Sequence, residues 1–395
     1  DGLTDQLSQS QIMPYLDILS NLYSVIVLSC EKKYKYKDYL IINKQLQNKN
    51  IKTKKVYFTK NRYLLIFSKI FDLIKILLVS AKIIKKNNIS IVHCRGHIPA
   101  FIVFILKFMF KIQLIFDYRG MWVEERIDMN SINLTSIKGK TTYYLLKKLE
   151  LKSVKSSSKI IVLTHSMKNY IIDQFNYNKN NIFVIPCYVN NKIFNNNFNK
   201  YFNLRKELNL SNECKILCYL GSVSGMYLVE EMLDFFVKLK KKDQDYFFLF
   251  ISNNSDEIKK IYNKKKYHNF KKFIKVISLK YKQIPMYLSQ INVSICFLKN
   301  SIARTGTFPI KFAEILSMGI PQIYNSNIGD FDTIFKNNSI GSIVKLQDRS
   351  QIIKLINNFT KVENLNKNKI KKYALENFSI IRAKDQYLDV YRDLK

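Results

Sequence analysis

Short apolar runs rich in β-branched residues alternate with longer amphipathic stretches along almost the whole chain, and this alternation constrains the fold more than any other feature. YSVIVLSC (23–30), IKTKKVYF (51–58), SIVHCRG (90–96), QLIFDYRG (113–120), KIIVLTH (159–165) and NIFVIPC (181–187) read as strands in the first half. KILCYLGS (215–222), YFFLFISN (246–253), FIKVISL (273–279), VSICFLK (293–299), PQIYN (321–325) and SIVKL (342–346) repeat the rhythm in the second. Strands of this kind, each followed by a helix-length stretch, build βαβ units around a buried parallel sheet. The rhythm breaks once, over 188–213, where NNKIFNNNFNK is polar and Asn-rich. A chain of 395 residues, 47% of them hydrophobic, supplies two cores of about 150 to 200 residues each. The expected organisation is an α/β pair: a Rossmann-like domain over 1–187, a linker over 188–213, a second Rossmann-like domain over 214–376, and a final helix over 377–395. DGLTDQLSQSQIMPYL, at the start, reads as a loop and a helix with no secretory signal, so a first strand is expected to precede it.

Lys and Arg number 65 against 30 Asp and Glu, a formal charge of +35. Such a field attracts phosphates, nucleic acid or an anionic membrane, or is simply solvated surface. The basic residues are spread out and no nucleic-acid motif accompanies them, so no nucleic-acid partner is expected. The six cysteines lie mostly in apolar runs without a CxxC pair, which reads as reduced, buried thiols in a reducing compartment. They form no zinc-ligand cluster with the four histidines. IPAFIVFILKFMFKI (98–112) is the most apolar stretch. It is shorter than the roughly 20 residues that span a bilayer, and it reads as a buried crossover helix or as one resting on lipid. The run over 64–86, studded with Lys69, Lys75, Lys82, Lys85 and Lys86, allows the same two readings.

Ligands of open α/β sheets bind at the carboxyl ends of the strands. In YLGSVSGMYLVEEML (219–233), Gly221, Ser222 and Gly225 follow a strand and would bring backbone N–H groups to a phosphate, or form only a tight turn. In RTGTFPIKFAEILSMGIPQIYN (304–325), Pro309 suits a helix start, and Lys311 and Glu314 share a helix face. A carboxylate there can accept bonds from two ribose hydroxyls while the lysine neutralises phosphate; the alternative is a surface salt pair. DQD (243–245) precedes a strand, at the wrong end of the sheet for a metal-binding motif, so no metal is expected.

TFPIKFAEILSMGIPQI resembles the nucleotide-binding segment of the family-4 glycosyltransferases of the retaining GT-B class. The resemblance extends to DGLTDQLSQSQIMPYL as an N-terminal glycine loop containing Gly2, and to FDYRGMWVEERID (116–128) as an Asp-x-Arg-Gly segment. It also covers LGSVSGMYLVEEML as a second glycine loop and FSIIRAKDQYLDVYRDL (378–394) as a returning C-terminal helix. It implies a GT-B fold and a transferase of surface-polysaccharide assembly, with a nucleotide-sugar as donor, a glycan or lipid-phosphate-linked acceptor, and no cofactor. The enzyme would be cytoplasmic and peripheral at the inner face of the membrane. Glu314 would hold the ribose, with Gly221, Ser222, Pro309 and Gly2 around the donor. Lys311 and Arg304 would stabilise the diphosphate. Asp117 and Arg119 would orient sugar or acceptor, and His97 is a lesser acceptor candidate. The chain departs from the pattern twice: Gly306 stands where many members have a second glutamate, and Ser224, Gly225 and Met226 stand where many have an Arg and a Lys-Gly. Nucleotide-sugar 2-epimerases share this fold and are the runner-up, with a basic nucleic-acid-binding protein a third class.

Overall fold

The computed structural model describes residues 2–59, 65–195, 202–223 and 225–394. Ser224 of the second glycine loop, residues 196–201 of the Asn-rich stretch and Leu64 lie outside them, as do Asp1 and Lys395.

Every run read as a strand is one. In the first half these are β1 (Ile26–Glu31), β2 (Lys52–Tyr57), β3 (Ile91–Arg95), β4 (Gln113–Asp117), β5 (Lys159–Val162) and β6 (Ile182–Val184). The second half holds β7 (Lys215–Leu220), β8 (Tyr246–Ile251), β9 (Ile274–Ile277), β10 (Val293–Cys296), β11 (Gln322–Asn325) and β12 (Gly341–Val344). The second half forms one sheet in the order β12-β11-β10-β7-β8-β9, with every pairing parallel. All six residues of β8 are buried, because helices cover both faces of a parallel sheet and no polar side is needed.

The first half departs from a single continuous sheet. β3-β4-β5-β6 form a parallel four-stranded sheet, and β1-β2 form a separate parallel pair. Apolar packing instead of a backbone ladder joins the two pieces. Val27 of β1 and Ile91 of β3 pack on one core with Tyr15, Leu16 and Leu19. The helix Ile380–Tyr391 adds Ala383, Tyr387, Val390 and Tyr391 to that core, so the end of the chain is built into the first domain. The polar stretch after β6 also contributes apolar anchors: Phe194 and Leu204 are buried in the core of the second domain.

The apolar stretch 98–112 has two fates. The helix His97–Leu106 buries Ala100, Ile102, Val103 and Leu106, whereas Phe108 and Met109 in the turn beyond it are exposed. The helix Leu65–Asn87 carries the lysines of the 64–86 run. All six cysteines are free thiols, and five of them are buried.

Candidate active site

Two charge clusters lie at carboxyl ends of strands. The first stands on the register of β3 and β4, which sets Arg95 opposite Asp117. Asp117 is fully buried. The Arg119 guanidinium lies 2.8 Å from it through Nε, Arg95 Nη1 3.4 Å away and His93 Nε2 3.8 Å away. Burial would push the Asp117 carboxyl up, but Arg119, His93 and Arg95 hold it well below the usual carboxylate range. Arg119 also donates through Nη2 to the Tyr387 hydroxyl (2.6 Å), so the C-terminal helix helps fix it. Among the described residues its buried Nη1 has no hydrogen-bond partner, a donor that a bound oxygen would satisfy.

The second cluster grows from the helix Ile310–Ser317, whose N-cap is Pro309. Phe312, Ala313, Ile315 and Leu316 pack into the core on either side of Glu314, and this forces the carboxylate into a buried position. Lys311 Nζ lies 3.0 Å from Glu314 Oε2, and the Tyr281 hydroxyl donates to Oε1 at 2.8 Å. Lys311 Nζ also sits 5.7 Å from the centre of the Tyr281 ring. The arrangement is not a surface salt pair, since Glu314 has no exposure and only the lysine reaches water. Burial, reinforced by Glu314, pushes the Tyr281 hydroxyl far up, so it stays a donor. Tyr281 follows β9 and lies outside every motif read from the sequence. Burial pushes up the thiol of Cys187, which follows β6.

The domains meet beside these clusters. Arg304, almost fully buried, reaches Asp128 Oδ2 at 3.2 Å, and Ser301 donates to the same oxygen at 2.5 Å. Thr164 donates to the Thr305 carbonyl (2.7 Å), and the Asp330 carboxylate accepts from the amides of His165 (2.6 Å) and Ser166 (2.9 Å) at a helix start. Arg304 is therefore partnered across the domains, while Lys311 is held by Glu314. Gly306 accounts for one departure from the family pattern. A Cβ there would lie 3.2 Å from Met167 Sδ and 3.6 Å from the Gly120 Cα, so this position sits against the first domain and a larger side chain would have to displace the flexible Met167. At Gly329 (φ +49) a Cβ would meet the Thr307 carbonyl of its own domain at 2.5 Å and Thr164 Cγ2 of the first domain at 2.9 Å, so both the turn and the domain contact call for glycine.

The remaining candidates are more firmly tied down. Gly221 (φ +151) follows β7, and the Ser222 carbonyl accepts from the Tyr219 hydroxyl at 2.5 Å. The next helix begins only at Val229, with Glu230 and Glu231 in its first turn, which is unfavourable for a phosphate. In the loop before it the Gly221 amide donates to the Ile251 carbonyl (3.1 Å) and the Val223 amide to Asn254 Oδ1 (3.2 Å), so neither is free for a phosphate. The Gly2 amide donates to Asp5 (3.1 Å), and a Cβ on Gly2 would lie 2.5 Å from Glu31 Oε2. His97 Nε2 is 3.1 Å from the buried Glu150, and its ring stacks on Trp122. Glu125, one turn along the Trp122–Asp128 helix, was not singled out by its sequence context. Its Oε1 lies 2.9 Å from a Cβ built on Gly120, and burial, offset by Arg304 and His97, raises its carboxyl. Asp243 and Asp245 lie in the turn that enters β8, where Asp243 pairs with Lys215. Among the described residues, no group of three or more His, Cys, Asp or Glu could hold a metal ion.

Residues 25–192 match the family model for glycosyltransferase family 4, and residues 200–376 match the model for glycosyl transferases group 1. The chain belongs to the group 1, family-4 glycosyltransferases. No curated protein matches this glycosyltransferase in sequence. Among solved structures, a glycosyltransferase from Rickettsia africae superposes with a TM-score of 0.67 at 17% identity, covering 97% of this chain and 94% of that one. Anabaena Alr3699/HepE in complex with UDP gives 0.69 at 10% identity, covering 100% and 98%. Sucrose-phosphate synthase from Thermosynechococcus elongatus gives 0.65 at 14% identity, covering 94% and 99%. At such identities the likeness establishes the fold of the glycosyltransferase: GT-B, two Rossmann-like domains.

Proposed function

We propose that this glycosyltransferase moves a sugar from a nucleotide-sugar to a glycan or lipid-linked acceptor in cell-surface polysaccharide assembly, with retention of configuration and without a metal. The observation that carries the reading is the Glu314 carboxylate, buried yet bonded, among the described residues, only by a tyrosine hydroxyl and a lysine that reaches water. Two vicinal ribose hydroxyls can join or displace those donors at little cost, which makes the position a ribose site. Solved relatives in fold support a nucleotide-sugar donor, since Anabaena Alr3699/HepE was crystallised with UDP and with UDP-glucose.

Lys311 is the cation that pairs with the ribose carboxylate and would meet the diphosphate, together with the Ser222 amide. Charge grows on that diphosphate as the glycosidic bond breaks, so donors placed there lower the barrier. The leaving phosphate takes the acceptor proton on the same face of the sugar, which accounts for retention without a protein nucleophile. Arg119, oriented by Asp117 and Tyr387, offers its unpartnered Nη1 to sugar or acceptor. Arg304 acts by closing the domains through Asp128. Among the described residues no helix is long and apolar enough to cross a membrane, and a lipid-linked acceptor would be met from the cytoplasmic side, at an anionic membrane surface.

The test is a thermal-shift screen of uridine, guanosine and adenosine diphosphate sugars, followed by turnover of any binder with and without added glycan or lipid-phosphate acceptor. A ligand at about 100 times its Kd stabilises by about 2.7 kcal/mol. Stabilisation by a nucleotide-sugar and acceptor-dependent turnover are expected. An epimerised nucleotide-sugar formed without acceptor overturns the reading, as does indifference to the whole panel.

A further inference from the structure

Apolar exposure is distributed unevenly. Among the described residues after 192, only Ile302, Ile353, Leu375 and Ile381 are large, apolar and exposed, whereas the first domain exposes many more. Much of that exposure falls on three neighbouring helices, Leu65–Asn87, His97–Leu106 and Ile137–Ser156, the middle one packed against both others. On the first, Phe71, Lys75, Leu78 and Lys82 follow one another at spacings of four, three and four, and so share a face. On the third, Tyr144, Lys148, Leu151 and Lys155 repeat the same spacing. Between them, the turn after the middle helix raises Phe108 (79% exposed) and Met109 (70%) between Lys107 and Lys111. Ile137, 87% exposed, begins the third helix.

The charges on this face have one sign. The three helices and the turn contain two carboxylates, Asp72 and Glu150, and both are buried and turned inward. Asp72 accepts from the Thr59 amide and hydroxyl, and Glu150 is held by His97, Tyr118 and Lys147. Every exposed ionic group on these helices and this turn is therefore a lysine. Isolated apolar residues on a surface call for no explanation, but a contiguous apolar face edged by one charge marks an interaction site.

We infer that this three-helix face is the surface by which the protein lies on an anionic lipid bilayer, with Phe108 and Met109 entering the headgroup–acyl boundary and the flanking lysines meeting lipid phosphates. Two features of the face select this occupant. A second copy of the chain would set lysines against lysines across a two-fold interface. Nucleic acid would use the lysines but leave the aliphatic stripe in water, whereas a bilayer takes up both. The inference rests on the membrane contact proposed above and names where it occurs. Its test does not pass through turnover.

The experiment is co-sedimentation of the full chain with vesicles of phosphatidylcholine, alone or with about a quarter phosphatidylglycerol, across a salt series. Two variants are compared with the wild type: Lys75→Glu/Lys82→Glu/Lys148→Glu, and Phe108→Ser/Met109→Ser. All five side chains lie on the outer side and none belongs to the candidate active site. Binding to the anionic vesicles only, weakening with salt, is expected. The lysine variant is expected to lose on the order of a hundredfold in partitioning, at about fivefold per lysine near the surface. The apolar variant should bind more weakly at every salt concentration with the same salt slope. Equal binding to both vesicle types, binding to neither, or variants that bind as the wild type does overturn the inference. So does self-association of the wild type without vesicles that Phe108→Ser/Met109→Ser abolishes, since the face would then join two copies. Vesicle binding by a chain that takes up no nucleotide-sugar would uphold the surface and overturn the proposed function.

Discussion

Asp128, at the end of a first-domain helix, lies 3.2 Å from the guanidinium of Arg304 in the second domain, and the arginine side chain is only 1% exposed. The pair is thus a charged contact across the two domains, reinforced by Ser301 on the same carboxylate. Removing one member leaves the other charge desolvated without a partner, which is far costlier than the net worth of the pair.

Asp128→Ala should therefore destabilise by about 3–5 kcal/mol in urea unfolding. The double variant Asp128→Ala/Arg304→Met should cost less than the single one, because no buried charge is left unpaired. A single variant as stable as the wild type would mean that the domains part freely and that water reaches Arg304.

Asp117 predicts a pH dependence with a definite sign. Its folded pKa is held below the ordinary 3.8 by Arg119, His93 and Arg95 in spite of burial. The native state then binds fewer protons than the unfolded chain near that pH, so this contribution is complete above about pH 5 and is lost as pH falls through the acid range. Asp117→Asn should melt well below the wild type at pH 7, and the gap should narrow steadily from about pH 5 downwards. A gap that stays constant from neutral to acid would show that Asp117 carries no such shift.

The GT-B architecture was legible in the sequence because it depends on pattern. Runs such as YFFLFI can be buried on both faces only in a covered parallel sheet, and the Asn-rich stretch after β6 marks where the rhythm restarts. The division of the first domain into β1-β2 and β3–β6 was not legible, because strand composition does not say which edges form ladders. At the site, the spacing of Lys311 and Glu314 placed them on one face, and the structure holds them in contact. Tyr281 was invisible, since its bond to Glu314 spans 33 positions and depends on where β9 ends. Asp128 and Arg304, 176 positions apart, were equally so. Gly306 reads in sequence as the loss of a functional glutamate, and only the structure shows that it lies against Met167 and Gly120 of the first domain.

Lys311 should matter more to the chemical step than to binding. If it faces the diphosphate, Lys311→Ala removes a charge whose value grows in the transition state, and kcat should fall by about two to three orders of magnitude. The fall should exceed that caused by Glu314→Ala under the same saturating donor. Steady-state turnover of the donor found by screening gives the comparison, and a change confined to KM would place Lys311 outside the reacting centre.

The central claim is that the buried Glu314 carboxylate is the ribose site of a nucleotide-sugar-dependent transferase, and calorimetric titration tests it most directly. The best donor of the panel is titrated into the wild type and into Glu314→Ala, with the thermal midpoint of each measured alongside. Lys311 reaches solvent, so its loss of partner leaves no buried charge and the variant should stay folded. Loss of charge-assisted bonds worth about 1.5–3 kcal/mol should weaken binding roughly ten- to a hundredfold. Equal affinity in the two proteins, with both folded, would contradict the assignment.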